Sequence, residues 1–145
     1  MRATAIGCSL VALIVLGVAI GEPQTLPGNV RDVWFTTSET VSGRHNTSPE
    51  RRFERVETFS RETDKSVIMV IVFNDHGSHE VSAVRTGPDG KAQTHRASLA
   101  PNSGSVRGSR THRHRWDTSK LKVGTHTVEV VVDDVLIGKY SFELK

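Results

Sequence analysis

The sequence predicts an all-β fold, an antiparallel sandwich of about seven short strands. Three observations carry that prediction. The C-terminal stretch Gly124 to Lys145 (GTHTVEVVVDDVLIGKYSFELK) alternates apolar and polar residues on both sides of Asp133-Asp134. Ser66 to Phe73 (SVIMVIVF) is a continuous, β-branched apolar run of strand length. Around both, Gly, Pro, Asn and Asp recur at intervals of roughly ten residues, the spacing of turns between short strands.

The chain of 145 residues, 36% hydrophobic and 24% charged, is long enough for one packed domain. Arg2 precedes an apolar run from Ala3 to Ile20, densest from Leu10 onward, which closes on Ala19-Ile20-Gly21. A positive start, an apolar middle and small residues at the end form the layout of a secretory signal. The run also approaches the length of a membrane span, so residues 1–21 are either a cleaved signal peptide or an N-terminal membrane anchor. Both readings place the remainder outside the cytoplasm, in the periplasm or beyond it, with residues 3–20 as the tether if it stays. The one cysteine, Cys8, lies inside this run, so a cleaved chain would have no thiol chemistry and no disulfide.

Residues 22–49 read as a linker or partly ordered arm. GEPQTLPGNV is rich in Pro and Gly, Val30 to Thr37 could be a short strand anchored by Trp34, and the polar SETVSGRHNTSP follows. The sandwich domain is assigned to 50–145. Ser48-Pro49-Glu50 has the residues of a helix start, with a capping serine, and the favoured reading is a single helical turn running into a strand, Arg55 to Ser60. The buried strand Ser66 to Phe73 comes next, then a turn at Asn74 to His79, and then a strand around Val81 to Thr86 set antiparallel to the first. Gly87-Pro88-Asp89-Gly90 is a turn in which proline presets one dihedral and glycine takes a positive one. A polar strand, KAQTHRASLA, ends at Pro101-Asn102-Ser103-Gly104.

Val106 to Trp116 (VRGSRTHRHRW) reads as a strand with Arg113 and Arg115 on one face and His112, His114 and Trp116 on the other, Trp116 toward the core. Asp117 to Leu121 connects it to the closing hairpin. There, His126, Val128, Val130 and Val132 form the inward face of one arm, and Leu136, Tyr140, Phe142 and Leu144 that of the other. Asp133-Asp134 serves as the tight turn, because Asp tolerates the left-handed region better than most residues.

A set of these positions resembles a loosely defined group of bacterial extracytoplasmic Ig-like modules. They are Phe59, Asp64, the strand Val67 to Phe73, Pro88-Asp89-Gly90, Trp116, Gly124-x-His126-x-Val128-Glu129-Val130 and Tyr140-x-Phe142. The resemblance covers about Arg55 to Lys145. It implies an Ig-like antiparallel β-sandwich behind an N-terminal signal or anchor helix, and an exported location. It implies no activity and no site. His126 stands where the group usually has tyrosine, and Arg85 where tryptophan is common.

Charge is spread unevenly. Lys91 to Lys122 holds eight Lys/Arg against one Asp, a net +7, which leaves −4 for the rest of a chain of net +3. The dense part, Arg107, Arg110, Arg113 and Arg115, is the candidate binding stripe for an anionic partner, a protein or an anionic cell-envelope polymer. Export and the lack of interleaved stacking aromatics argue against nucleic acid. The rival reading is internal: Glu129, Asp133 and Asp134 could face the stripe across the sheet, or the arginines could blunt an edge strand. His112 and His114 are spaced to chelate zinc or copper, and His76 and His79 form a second histidine pair in a turn beside Asp75 and Glu80. Neither pair has an identifiable third ligand, so no metal and no cofactor is assigned. No nucleophile elbow, zincin motif, P-loop or dinucleotide fingerprint is present, so the chain is read as non-catalytic. The functional expectation is an exported binding or accessory module, with a metal-binding protein and a structural spacer of a membrane complex as alternatives.

Overall fold

The computed structural model describes residues 26–27, 29–37, 48–102 and 109–145. The expected signal or anchor at 1–21, Arg107, and the Ser103-Gly104 half of the second turn lie outside them.

Eight strands form two sheets. β1 (Val30–Thr36), β3 (Ser66–Phe73) and β6 (Arg110–Asp117) make one, in the order β1-β3-β6. β2 (Thr58–Phe59), β4 (His79–Thr86), β5 (Ala92–Leu99), β7 (Gly124–Val132) and β8 (Val135–Leu144) make the other, in the order β2-β8-β7-β4-β5. One helical turn, α1 (Pro49–Arg52), and a 3₁₀ turn at Thr118–Lys120 complete the described elements. Every pairing is antiparallel except β2 with β8. The chain changes sheet after β1, β2, β3, β5 and β6 and stays within the larger sheet from β4 to β5 and from β7 to β8, in an Ig-like sandwich.

The core lies between the sheets. All eight residues of β3 are buried, as its unbroken apolar run predicts. Val67, Met69, Ile71 and Phe73 point into the sandwich. Ile68, Val70 and Val72 point the other way, into a second cluster with Trp34 and Phe53. That outer cluster explains why β3 is apolar on both faces. The segment carrying Phe53 folds over the sheet, and the Trp34 indole donates to the Phe53 carbonyl at 3.0 Å. In the main core, Phe142 meets the rings of Phe35, Phe59, Trp116 and His126, with centroids 5.0, 5.6, 6.2 and 4.9 Å away.

The closing hairpin forms as its alternation predicts. Asp133 and Asp134 have φ of 50° and 64°, so both central residues of the turn are left-handed. Such a turn matches the twist of the flanking strands. Asp134→Gly is expected to stabilise the domain by roughly 0.5 kcal/mol, because glycine takes that conformation without strain. A thermal melt showing a higher midpoint checks this. At the other end of β7, Gly124 has a φ of 131°, and a Cβ there would lie 2.9 Å from the Pro88 side chain, so only glycine lets the β4–β5 turn pack against it.

Five expectations need correction. First, Leu136 does not face the core: it is 58% exposed and Ile137 is buried in its place. The register slips between Val130↔Gly138 and Val131↔Leu136, so one extra residue on β8 switches the inward side. Second, β4 does not pair with β3; it lies in the opposite sheet against β5 and β7, so residues 74–78 cross between sheets. Third, Pro49 does open a helical turn, but the Ser48 side chain makes no capping bond. The Ser48 carbonyl instead accepts from the amides of Arg51 and Arg52. Fourth, the strand expected at Arg55 to Ser60 shrinks to Thr58–Phe59. Fifth, the short strand expected at Val30 to Thr37 forms as Val30–Thr36, but it pairs with β3 as part of the sandwich rather than standing in an arm, with Val33 and Phe35 in the main core and Trp34 in the outer cluster.

Candidate functional site

β6 is one of the two edge strands of the smaller sheet, and its alternation divides the arginine stripe. Arg113 and Arg115 point outward and are exposed, paired across the sheet with Val70 and Ile68. Arg110 points the other way. Its guanidinium donates to the carbonyls of Gly77 and Ala100, pinning the β3–β4 crossing and the end of β5. The stripe is therefore not one continuous surface.

The structure adds cations that linear reading did not connect to it. Arg52, from α1, and Arg113 each stand over the Phe53 ring, 5.4 and 5.5 Å from its centroid. Arg55 stands 5.2 Å over Trp34 and pairs with Asp32 at 2.6 Å. Arg31 pairs with Glu50 at 2.6 Å. The outer face of the smaller sheet is thus a buried aromatic pair roofed by arginines.

At one end of this face lies a cleft of about 430 Å³, lined by three arginines (Arg52, Arg110 and Arg113), His76, Asn102, Ser109 and Thr111, with Phe53 and Leu99 as its apolar wall. Among the described residues no carboxylate lines it. The Nδ1 atom of His76 is buried there without a hydrogen-bond partner among the described residues. Two of the acids weighed as internal partners are engaged in the larger sheet: Glu129 is 3.8 Å from Lys139, and Asp133 bonds His79.

The histidines separate into three environments. His112 and His114 face inward from β6, as the alternation requires, and meet His95 from β5, which sequence reading did not single out. The His95 and His112 Nε2 atoms are 3.2 Å apart, in rings 8° from parallel with centroids 5.5 Å apart. His114 stacks on His95 at 3.6 Å and meets Trp116 edge-on. Those separations mean that the two nitrogens point at each other, with room for a shared proton. A zinc ion between them would need roughly 2.0 Å to each, along convergent directions. Among the described residues no three His, Cys, Asp or Glu side chains are disposed to hold one ion. Burial, then the neighbouring imidazoles, pushes His114 down to about 4, and burial, His95 and Arg110 do the same for His112.

His79 is the opposite case. It is 3% exposed, stacks on Phe73 at 4.5 Å, and offers both ring nitrogens to carboxylates: Nδ1 to Asp133 at 2.7 Å and Nε2 to Asp75 at 2.8 Å. Burial disfavours its charged form, but the two hydrogen-bonded carboxylates outweigh it and the pKa is raised. With both nitrogens so engaged, this ring is a clamp between the β3–β4 crossing and the β7–β8 turn.

His126 and Arg85, the two departures from the resembled pattern, touch each other. His126 is fully buried and stacked on Phe142; its Nε2 donates to the Lys122 carbonyl at 2.7 Å, and its Nδ1 accepts from Arg85 at 2.9 Å. Burial first, and Arg85 besides, lowers its pKa, which fits a neutral ring accepting from a cation. Two unusual residues are thus one hydrogen-bonded unit.

No protein-family model and no curated protein matches the chain. Solved structures do show a likeness. An immunoglobulin-like protein from Pseudomonas aeruginosa matches at 11% identity and a TM-score of 0.46, over 81% of this chain and 94% of that one. An alkylpurine DNA glycosylase from Pseudomonas fluorescens, bound to DNA containing an abasic site analogue, matches at 15% identity and a TM-score of 0.43. That match covers 81% of this chain but only 30% of the glycosylase.

Proposed function

We propose that the protein is an exported, non-catalytic binding module that recognises an anionic polymer of the cell envelope or an acidic protein. The observation that carries this reading is the cleft of about 430 Å³ with three arginines among its described lining residues. Guanidinium groups bind carboxylate, sulfate and phosphate in bidentate fashion, and three of them converging on one cleft favour an anionic group there. Arg115, exposed further along β6, extends that field. The cations also hold aromatic rings and carbonyls, which orders them before a ligand arrives and lowers the entropic cost of binding. Nucleic acid fits poorly, because Trp34 and Phe53 are 3% exposed each and offer no face for base stacking.

The test is binding of the full chain to an immobilised uronate polysaccharide and to polyglutamate across a salt series. Arg52→Gln with Arg113→Gln is expected to weaken binding by about 10- to 100-fold, the loss of one or two charge-assisted hydrogen bonds. The salt dependence should flatten with it. Unchanged affinity in a variant that melts like the parent would overturn the proposal.

A further inference from the structure

On the side where β5 edges one sheet and β6 the other, no backbone pairing joins them. At the end of β5 the Arg110 guanidinium of β6 reaches the Ala100 carbonyl, and along the strands the gap is spanned by imidazole: His95 from β5, against His112 and His114 from β6, with Trp116 behind. We infer that this histidine trio is an acid-sensitive latch, holding the β5 and β6 edges together while its rings are neutral and releasing them when they charge.

The argument is geometric. A hydrogen bond between two imidazole Nε2 atoms needs one protonated and one bare nitrogen; a second proton removes the acceptor and sets two donors head-on at 3.2 Å. A cationic His114 would then stack at 3.6 Å on a cationic His95. Among the described residues no carboxylate is bonded to these rings. The charged groups that face the trio are Arg110 on β6 and Arg85, which projects inward from β4 and reaches Gln93 beside His95. Both are cations. The described carboxylates on this side of the larger sheet act elsewhere: Asp75 and Asp133 hold His79 at the far end, opposite Leu99, Glu80 accepts from Ser98, and Asp89 acts on Arg85 and His126.

The sign follows from the depressed titration of His112 and His114, to about 4 in the fold. An unfolded or opened chain binds protons to these rings near the ordinary value of about 6.5, so it holds more protons between those limits. The latch is complete above about pH 6.5 and weakens progressively as the pH falls toward 4.

The experiment is residue-resolved hydrogen exchange and histidine ring titration by NMR on the full chain, between pH 7 and 4. Amides of β5 and β6 are expected to lose at least about tenfold more protection than those of β7 and β8, after correction for intrinsic rates. In a His112→Gln, His114→Gln variant that difference should vanish. The latch is overturned if all strands lose protection together, or if the variant loosens at β5 and β6 with the same pH profile. If the variant fails to fold, the parent's ring titrations decide. Three rings titrating near the ordinary value with β5 and β6 unchanged would refute the latch; depressed, coupled titrations that coincide with loss of β5 and β6 protection would support it.

Discussion

Phe142→Ala is expected to cost about 3–5 kcal/mol, the range for truncating a large aromatic side chain in a packed core. Phe142 is 2% exposed and its ring meets four others: Phe35 from the smaller sheet, Phe59 from β2, Trp116 from β6 and His126 from β7. These come from four separate strands, so no single rearrangement closes the space. A loss of that size is a large share of a typical domain stability of roughly 5–15 kcal/mol. Urea unfolding is the measurement, with the midpoint moving sharply and the slope kept if the fold is retained. The variant also withdraws the platform on which His126 stacks, so the Arg85–His126 hydrogen bond should loosen, visible as a shift in the His126 ring signals.

His79→Ala should cost less, about 1–3 kcal/mol, because Asp75 and Asp133 remain half-exposed and can return to water. Its pH dependence is the sharper signature. The His79 pKa is raised in the fold, so its contribution is full below the unfolded value of about 6.5 and is lost as pH rises through the folded value. The Asp133 pKa is lowered, chiefly by the His79 hydrogen bond, so its contribution is present above the ordinary aspartate range and lost as pH falls through the folded value. The stability gap between parent and variant should therefore be widest in mildly acidic solution and narrow on both sides. That is opposite in sign to the His95, His112 and His114 trio, which weakens as pH falls from 6.5. Chemical denaturation of parent and variant at several pH values reads both effects.

Much of the sandwich was legible in the sequence because its signals are local. The alternation at His126, Val128, Val130 and Val132, the unbroken Ser66–Phe73 run and the inward Trp116 each follow from a period that neighbouring residues fix. What failed depends on partners. The slip that buries Ile137 instead of Leu136 leaves no mark in composition, since both are aliphatic. The crossing at 74–78 uses the same turn residues as a hairpin, so sheet membership could not be read from it. The site was half legible for the same reason. Arg113 and Arg115 share a face by alternation alone, but Arg110 turns inward to meet carbonyls, and Arg52 joins the cleft only because Phe53 folds over the smaller sheet. His95 was missed because nothing in a polar strand marks one histidine as the partner of two others. The departures Arg85 and His126 were the one available clue to a buried polar unit, and they would have been found by asking whether two anomalies are adjacent in space.

The burial of β3 on both faces also dictates an order of assembly. Its neighbour β6 is made only after β4 and β5, which belong to the other sheet. Until β6 docks, a strand with seven apolar residues presents an unpaired edge, and any second chain in the same state offers a matching one. Refolding yield should accordingly depend on protein concentration more than on final stability. The hazard ends when β6 arrives, because the strand that takes the vacant place carries Arg113 and Arg115 on its outward face, and like charges discourage a further chain from adding beside it.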